Sequence, residues 1–257
     1  MELVVPRGAC LDLSLPATAQ FLAKYGGKDK MIRIVQYGAR AFRSLLVGNA
    51  NKWSHDKVQK LMVVTMEGRR TFRWFSFIPF LSQLRVLLDD STDSTMSQYE
   101  WWLLVTSKVS MILWNIFDHV RWLQQITWAP TNTTLLGDAS RSRRVAFSFF
   151  AIANIATFAL NLPRWVGDGA ETRVVDQAVT LSTPGADCTD DDQVRKKKLA
   201  ARRACFKAWL MVLQCLHISE WLECGDLVCG GAGVVTSVMD CVDLWPKRPL
   251  KGSTTCK

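Results

Sequence analysis

Val145 to Pro163 is a run of nineteen residues without a charge, with Arg141, Arg143 and Arg144 before it and Arg164 after it. At a helical rise of about 1.5 Å per residue it reaches about 28 Å, close to the hydrocarbon thickness of about 30 Å of a bilayer. A buried helix of a soluble core would hold the same residues, but arginine brackets with Trp165 at the edge are the flanks of a membrane crossing. Asn154 and Asn161 are compatible with a crossing that faces another helix. The run predicts a transmembrane helix over 145–163.

A second apolar stretch is less decided. Leu227 to Met239 is uncharged and rich in small residues, and Ala232 with Thr236 and Gly233 with Ser237 form the small-xxx-small pairs that let helices approach closely. Gly230, Gly231, Gly233 and Ser237 are therefore candidate helix-packing residues. Thirteen residues are too few to span unless the helix extends over 224–244 and Asp226, Asp240 and Asp243 reach the interfaces. The fold class that follows is all-α: an integral membrane helical protein with one or two transmembrane helices.

Amphipathic interfacial helices complete that expectation. In Lys28 to Arg43, helical spacing places Asp29, Arg33, Gln36, Arg40 and Arg43 on one stripe and Met31, Ile34, Val35, Gly38, Ala41, Phe42 and Leu45 on the other. Asp29 stands one turn before Arg33 and is expected to pair with it. A further element over Ser54 to Phe80 repeats the pattern, its second half setting Arg69, Arg70 and Arg73 among phenylalanines and Trp74, with Pro79 as terminator or kink. A helix of this kind lies in the interface with its apolar face about 5–10 Å deep. Each Lys or Arg near an anionic surface adds on the order of 1 kcal/mol. Arg33, Arg40, Arg43, Arg69, Arg70, Phe72, Arg73, Trp74 and Phe75 are the candidate membrane-binding residues. A solvated cationic face on helices that pack together is the competing reading.

Charge and composition select the partner. Of the net +9, residues 1–144 carry 19 Lys and Arg against 11 Asp and Glu, and the remainder is nearly neutral. A positive field with 11 tryptophans suits an anionic phospholipid membrane, because Trp prefers interfaces that bury its ring and wet its N–H. Nucleic acid is disfavoured, since the basic residues alternate with large apolar ones and no zinc-finger, RNP or homeodomain pattern occurs. Glu2, Arg7 and Asp12 interrupt the first dozen residues, so no secretory signal is read there. The eight cysteines include no Cys-x-x-Cys pair, which argues for small apolar residues rather than a metal site or a disulfide framework.

The chain divides into an amphipathic helical region over 1–144, expected to be cytosolic and opening with a turn at Pro16 and a short helix that runs toward a break at Gly26-Gly27; the crossing at 145–163; a charged connector over 164–207; a hydrophobic segment over 208–245; and a basic tail over 246–257. The connector is acidic at 190–192 and basic at 195–203, and is expected to be disordered or loosely helical. Leu88 to Gln98 reads as a loop, and Tyr99 to Trp128, with Lys108 inside its apolar part, as one long or broken helix.

A catalytic set is not found. No phosphate-binding glycine loop, His-Glu-x-x-His helix or Gly-x-Ser-x-Gly elbow is present, and Asp168 to Arg173 only approximates a phosphatidyl-alcohol transferase motif whose downstream residues are missing. Asn132-Thr133-Thr134 is a formal sequon and is taken as unused. The sequence predicts no enzyme, no metal and no cofactor.

Lys28, Asp29, Lys30, Arg33, Gln36, Tyr37 and Arg40 together resemble the opening signature of the peroxisomal biogenesis factor 11 family. The arginine-aromatic stretch from Arg69, Asp118 with Trp122-Leu123, and the glycine-rich C-terminal segment followed by Lys247, Arg248, Lys251 and Lys257 are similar to that family in the same order. The resemblance implies an all-helical peroxisomal membrane protein with cytosolic termini, which elongates and divides the organelle membrane. It also implies a homo-oligomer that cooperates with fission adaptors and a dynamin-related GTPase. The long connector and the tryptophan count suit a divergent branch such as that of kinetoplastid glycosomes. The alternative is a channel or transporter for small metabolites, motivated by Asn154, Asn161 and the split C-terminal segment.

Overall fold

The computed structural model describes residues 11–46, 52–73, 75–89, 96–125, 139–167 and 190–247. Eight helices are formed among them: α1 (Leu15–Ala23), α2 (Tyr25–Leu46), α3 (Lys52–Phe72), α4 (Ile78–Asp89), α5 (Gln98–Gln125), α6 (Ala139–Val166), α7 (Asp190–Ile218) and α8 (Asp226–Leu244). No strand occurs among the described residues, where the only ladder contact is an isolated antiparallel bridge between Leu11 and Lys247. Two compact units result, one of residues 1–72 with 226–257 and one of residues 73–225.

The first unit is arranged around α2. Ser14 caps α1 by accepting from the Ala17 N–H at 3.4 Å, and Phe21, fully buried, stacks on Trp245 at 4.4 Å. The expected break at Gly26-Gly27 falls instead at Lys24, whose backbone is extended; both glycines lie in the first turn of α2. A Cβ on Gly27 would strike the Phe21 carbonyl, so that glycine serves close approach. α3 and α8 both run antiparallel to α2: Asp29 meets Arg69 and Arg43 meets Gln59 on one side, while Lys30 meets Asp240 and Arg43 meets Asp226 on the other.

The second unit holds α4 to α7. α5 and α6 are antiparallel, joined by Glu100 with Arg164 at one end, by a Ser107 to Thr157 hydrogen bond at 3.3 Å, and by Trp114 on Phe150 and Phe117 on Phe149. α7 returns along α6, with Cys205 donating to the Phe158 carbonyl and Glu220 reached by Arg143 and Arg144. Glu220 itself ends α7 in the left-handed region, φ 63°, with the Trp221 N–H bonded to the Leu216 carbonyl. α4 lies along α5 through Ser76 to Asn115 and through the Trp101 indole N–H to the Leu87 carbonyl.

Several boundaries differ from those read along the chain. The element expected over Ser54 to Phe80 is two helices separated by a turn in which Phe75 is left-handed, φ 62°, and Pro79 sits in the first turn of α4, where its missing N–H costs no hydrogen bond. Residues 190–207 of the connector are helical and form the first part of α7. The hydrophobic C-terminal segment is divided between the two units, because α8 returns to α2. Tyr99 to Gln125 is one unbroken helix. Trp128, Asn132 and the basic tail beyond Lys247 lie outside the described residues, as do 90–95 of the expected loop and 168–189 of the connector.

Candidate membrane-contact surfaces

The polar stripe of α2 points inward. Asp29, Arg33 and Gln36 are buried, whereas Met31, Val35, Phe42 and Leu45 on the opposite stripe are exposed, Leu45 by 58%. Asp29 accepts from Arg69 Nε at 2.8 Å, and Arg69 Nη1 donates to Gln36 at 2.7 Å, so one buried arginine fastens α3 to α2. Arg33 turns to Asp240 of α8 at 3.8 Å, beside the 2.9 Å bridge from Lys30. Burial, then the Arg33 charge, lowers the Lys30 pKa against the opposing pull of Asp240. Asp226 takes Arg40 and Arg43 at the other end of α8.

Between those two ionic clasps the helix backbones touch. Gly230 leaves a Cβ position 2.7 Å from the Ala41 nitrogen and 2.8 Å from the Tyr37 carbonyl, and Gly233 lies under the Tyr37 ring. Thr236 and Ser237 are fully buried and donate to the Gly233 carbonyl at 3.1 and 2.6 Å, satisfying their hydroxyls within α8. Gly231 faces open space and has no part in this seam. The motif from Asp29 to Arg40 is thus the surface of α2 that meets α3 and α8; Lys28 is exposed beside it.

The proposed cationic membrane contacts are redistributed accordingly. Arg33, Arg69 and Arg70 are buried, Arg70 donating to Glu67 at 2.6 Å. Arg40 and Arg43 are partly exposed and paired with Asp226. Arg73 is held in the second unit by Asp118 at 3.1 Å and lies over the Trp114 ring at 5.3 Å. Phe75 is 61% exposed, and the side chains of Phe72 and Trp74 lie outside the described residues. Much of what these helices offer their surroundings is apolar, since Leu61 and Val64 of α3 and Leu227, Val228 and Val235 of α8 are also exposed, alongside the charged Asp56, Lys57 and Lys60 in the first half of α3.

The second unit shows the same inversion. Most of its buried positions are small or polar, including Ala146, Ala153 and Ala156 of α6, Cys205 and Gln214 of α7, and Asn115 and Asp118 of α5, while Ile112, Leu210 and Met211 are buried larger apolar side chains. Ile116, Ile152, Ile155, Leu162 and Trp209 face out. Only 22% of the apolar window of α6 is buried, and half of that of α8, whereas a core helix of a soluble protein is mostly buried. Asn154 and Asn161 donate to the Phe150 and Thr157 carbonyls at 2.7 Å, each within α6, which satisfies one donor of each amide along the apolar length. Outside the apolar length, Glu220 has its carboxyl held below the ordinary carboxylate range by the Arg144 hydrogen bond and the Arg143 charge.

α4 is the surface that sequence reasoning missed. None of its twelve residues is buried; Ile78, Leu81, Val86 and Leu88 are exposed together with the adjoining Phe75, and Arg85 stands clear, bonded only to its neighbour one turn on, Asp89. Pro79 followed by an apolar run without a break was the available signal, since proline in a first turn starts a helix as readily as it ends one.

Among the described residues no group of acidic, histidine and cysteine side chains is arranged to hold a metal. Small interiors, large apolar exteriors and two helices long and apolar enough to cross a bilayer define an all-helical membrane protein. The family model of peroxisomal biogenesis factor 11 matches residues 15–245, from the start of α1 to the end of α8, and the chain belongs to that family of peroxisomal biogenesis factors. No curated protein and no solved structure matches the chain.

Proposed function

We propose that this protein elongates the peroxisomal membrane, or the glycosomal membrane in a kinetoplastid-type branch, and promotes its division by seating α4 as a wedge in the cytosolic leaflet. In this reading α6 and α8 cross the bilayer and keep the wedge in place, while α5 and α7 run beside α6 and share its depth. Family membership supplies the peroxisomal elongation and division role. The observation that carries the mechanism is α4 itself, an apolar helix with no buried residue.

The physics is one of area. α4 is about 18 Å long, too short to span but about one leaflet deep, and because it lies along α5 its apolar surface is satisfied by entering one leaflet beside α5 and α6. A helix added to one leaflet alone widens that leaflet and makes it favour curvature. The buried arginines act on this indirectly, by fixing the helices against one another. Anionic phospholipid is the partner this action requires; self-association and recruitment of fission adaptors and a dynamin-related GTPase belong to the same proposal and rest on the family alone.

The test is tubulation of anionic liposomes by the full-length reconstituted protein. Leu81→Asp with Val86→Asp removes two exposed apolar side chains, each worth roughly 1.5–3 kcal/mol when buried in lipid. Tubulation should fall at least tenfold while the protein stays integrated in the membrane. Undiminished tubulation by an integrated double variant contradicts the wedge.

A further inference from the structure

At the end of the second unit where Glu100 meets Arg164, α6 and α7 open a cleft lined by Trp165, Arg195, Lys198, Leu199 and Arg202. The register of the two helices explains why these residues converge. Cys205 of α7 lies against Phe158 of α6, and the helices are antiparallel. Trp165 therefore rises about 10 Å above that contact, and so does Lys198, with Arg202 about 4.5 Å and Arg195 about 15 Å above it. Positions 195, 198, 199 and 202 share one face of α7. That face looks at the tryptophan.

Three properties set this cleft apart from the other basic surfaces. Arg195 and Arg202 have no carboxylate partner among the described residues, whereas Arg40, Arg43, Arg69 and Arg73 are all paired. Its wall is apolar, Trp165 and Leu199, and its rim is cationic, which matches an amphiphile and not a free ion. Its depth is also defined. Trp165 closes the apolar run of α6 just after Arg164, and Trp101 and Trp102 directly follow Glu100, the partner of Arg164. Tryptophans gathered at one level mark the headgroup zone of a bilayer.

We infer that this cleft binds the phosphate-bearing headgroup of an anionic phospholipid, with the Arg195 and Arg202 guanidiniums on the phosphate oxygens, Lys198 adding charge, and Trp165 against the glycerol region. Arginine forks match phosphate geometry in two-point contacts, and cationic pockets beside membrane helices are suited to lipid headgroups. The inference rests on the reading that α6 crosses the membrane. Its consequence is distinct from leaflet bending: a held lipid of one charge class ties the α6–α7 end of the unit to membranes that contain it.

The experiment uses full-length protein reconstituted with phosphatidic acid and phosphatidylcholine, then extracted gently and weighed with its retained lipids by native mass spectrometry. Wild type should retain phosphatidic acid in preference. Arg195→Gln with Arg202→Gln should lower that retention by about fivefold for each cation removed, the equivalent of about 1 kcal/mol each. Lys196→Gln with Lys197→Gln removes equal charge from other faces of α7 and should leave retention within twofold. Equal losses in the two double variants, or no lipid preference in the wild type, overturn the site. Displacement of the lipid by millimolar inorganic phosphate overturns its assignment to a lipid. Wild-type protein that floats with vesicles but is stripped by alkaline carbonate overturns the crossing of α6 and this inference with it; integration without lipid preference overturns the inference alone.

Discussion

Asp240 shows how much one carboxylate can do where the surroundings are apolar. It is buried, receives Lys30 at 2.9 Å and has Arg33 at 3.8 Å, and so compensates two cations that neither lipid nor a dry interior would tolerate alone. Removing one member of a buried ionic group leaves the others uncompensated, at a cost of about 3–5 kcal/mol. Asp240→Ala is therefore expected to destabilise the first unit by that order, read as a lower midpoint of thermal unfolding in detergent. Asp29→Ala, which removes the carboxylate to which Arg69 Nε donates, should act in the same direction. The residues involved were legible in the sequence, since the stripe of Asp29, Arg33, Gln36 and Arg40 follows from spacing alone. Its direction was not. A period of 3.6 residues separates two faces of a helix without saying which is inside, and the assumption that charge faces out holds for water. The missing signal was on α8, where Asp226 and Asp240 stand four turns apart, matching Arg40 with Arg43 and Lys30 with Arg33 on α2.

At the level of elements, the α2–α8 seam makes a prediction that separates adjacent glycines. Gly231→Ala meets open space and replaces the poorest ordinary helix former with the best, so it should be neutral or stabilising by up to about 1 kcal/mol. Gly233→Ala drives a methyl into the Tyr37 ring and should destabilise by about 1–3 kcal/mol, with Gly230→Ala, pressed against the α2 backbone, at least as severe. Proteolytic susceptibility of the three variants in detergent would rank them. Small-xxx-small spacing pointed to this region correctly but could not tell Gly231 from its neighbours, because that depends on how α8 is rotated against α2. α4 and the first part of α7 escaped for a different reason. Pro79 was read as a terminator or kink, and the charges from Asp190 to Arg203 as a disordered or loosely helical connector, whereas the helix they form has its other end anchored by packing along α6.

For the whole molecule, the organising principle is an interior of small residues and paired charges with large apolar side chains outside. This arrangement reverses that of a soluble bundle, and hydropathy alone undercounts it. Lys108, Asp118 and Arg121 exclude α5 from any apolar window, although Asp118 and Arg121 are buried and Ile116 faces out. The family match reaches across both units. The most direct test is lipid exposure at the outward positions. Spin labels placed by cysteine substitution at Ile155 of α6, Val235 of α8 and Leu81 of α4, in reconstituted full-length protein, report access to oxygen dissolved in lipid and to a water-soluble nickel chelate. Ile155 and Val235 should be open to oxygen and shielded from nickel, with Leu81 at a depth of about 5–10 Å below the headgroups. Labels at all three positions that are freely reached by the nickel chelate would contradict a lipid-facing exterior.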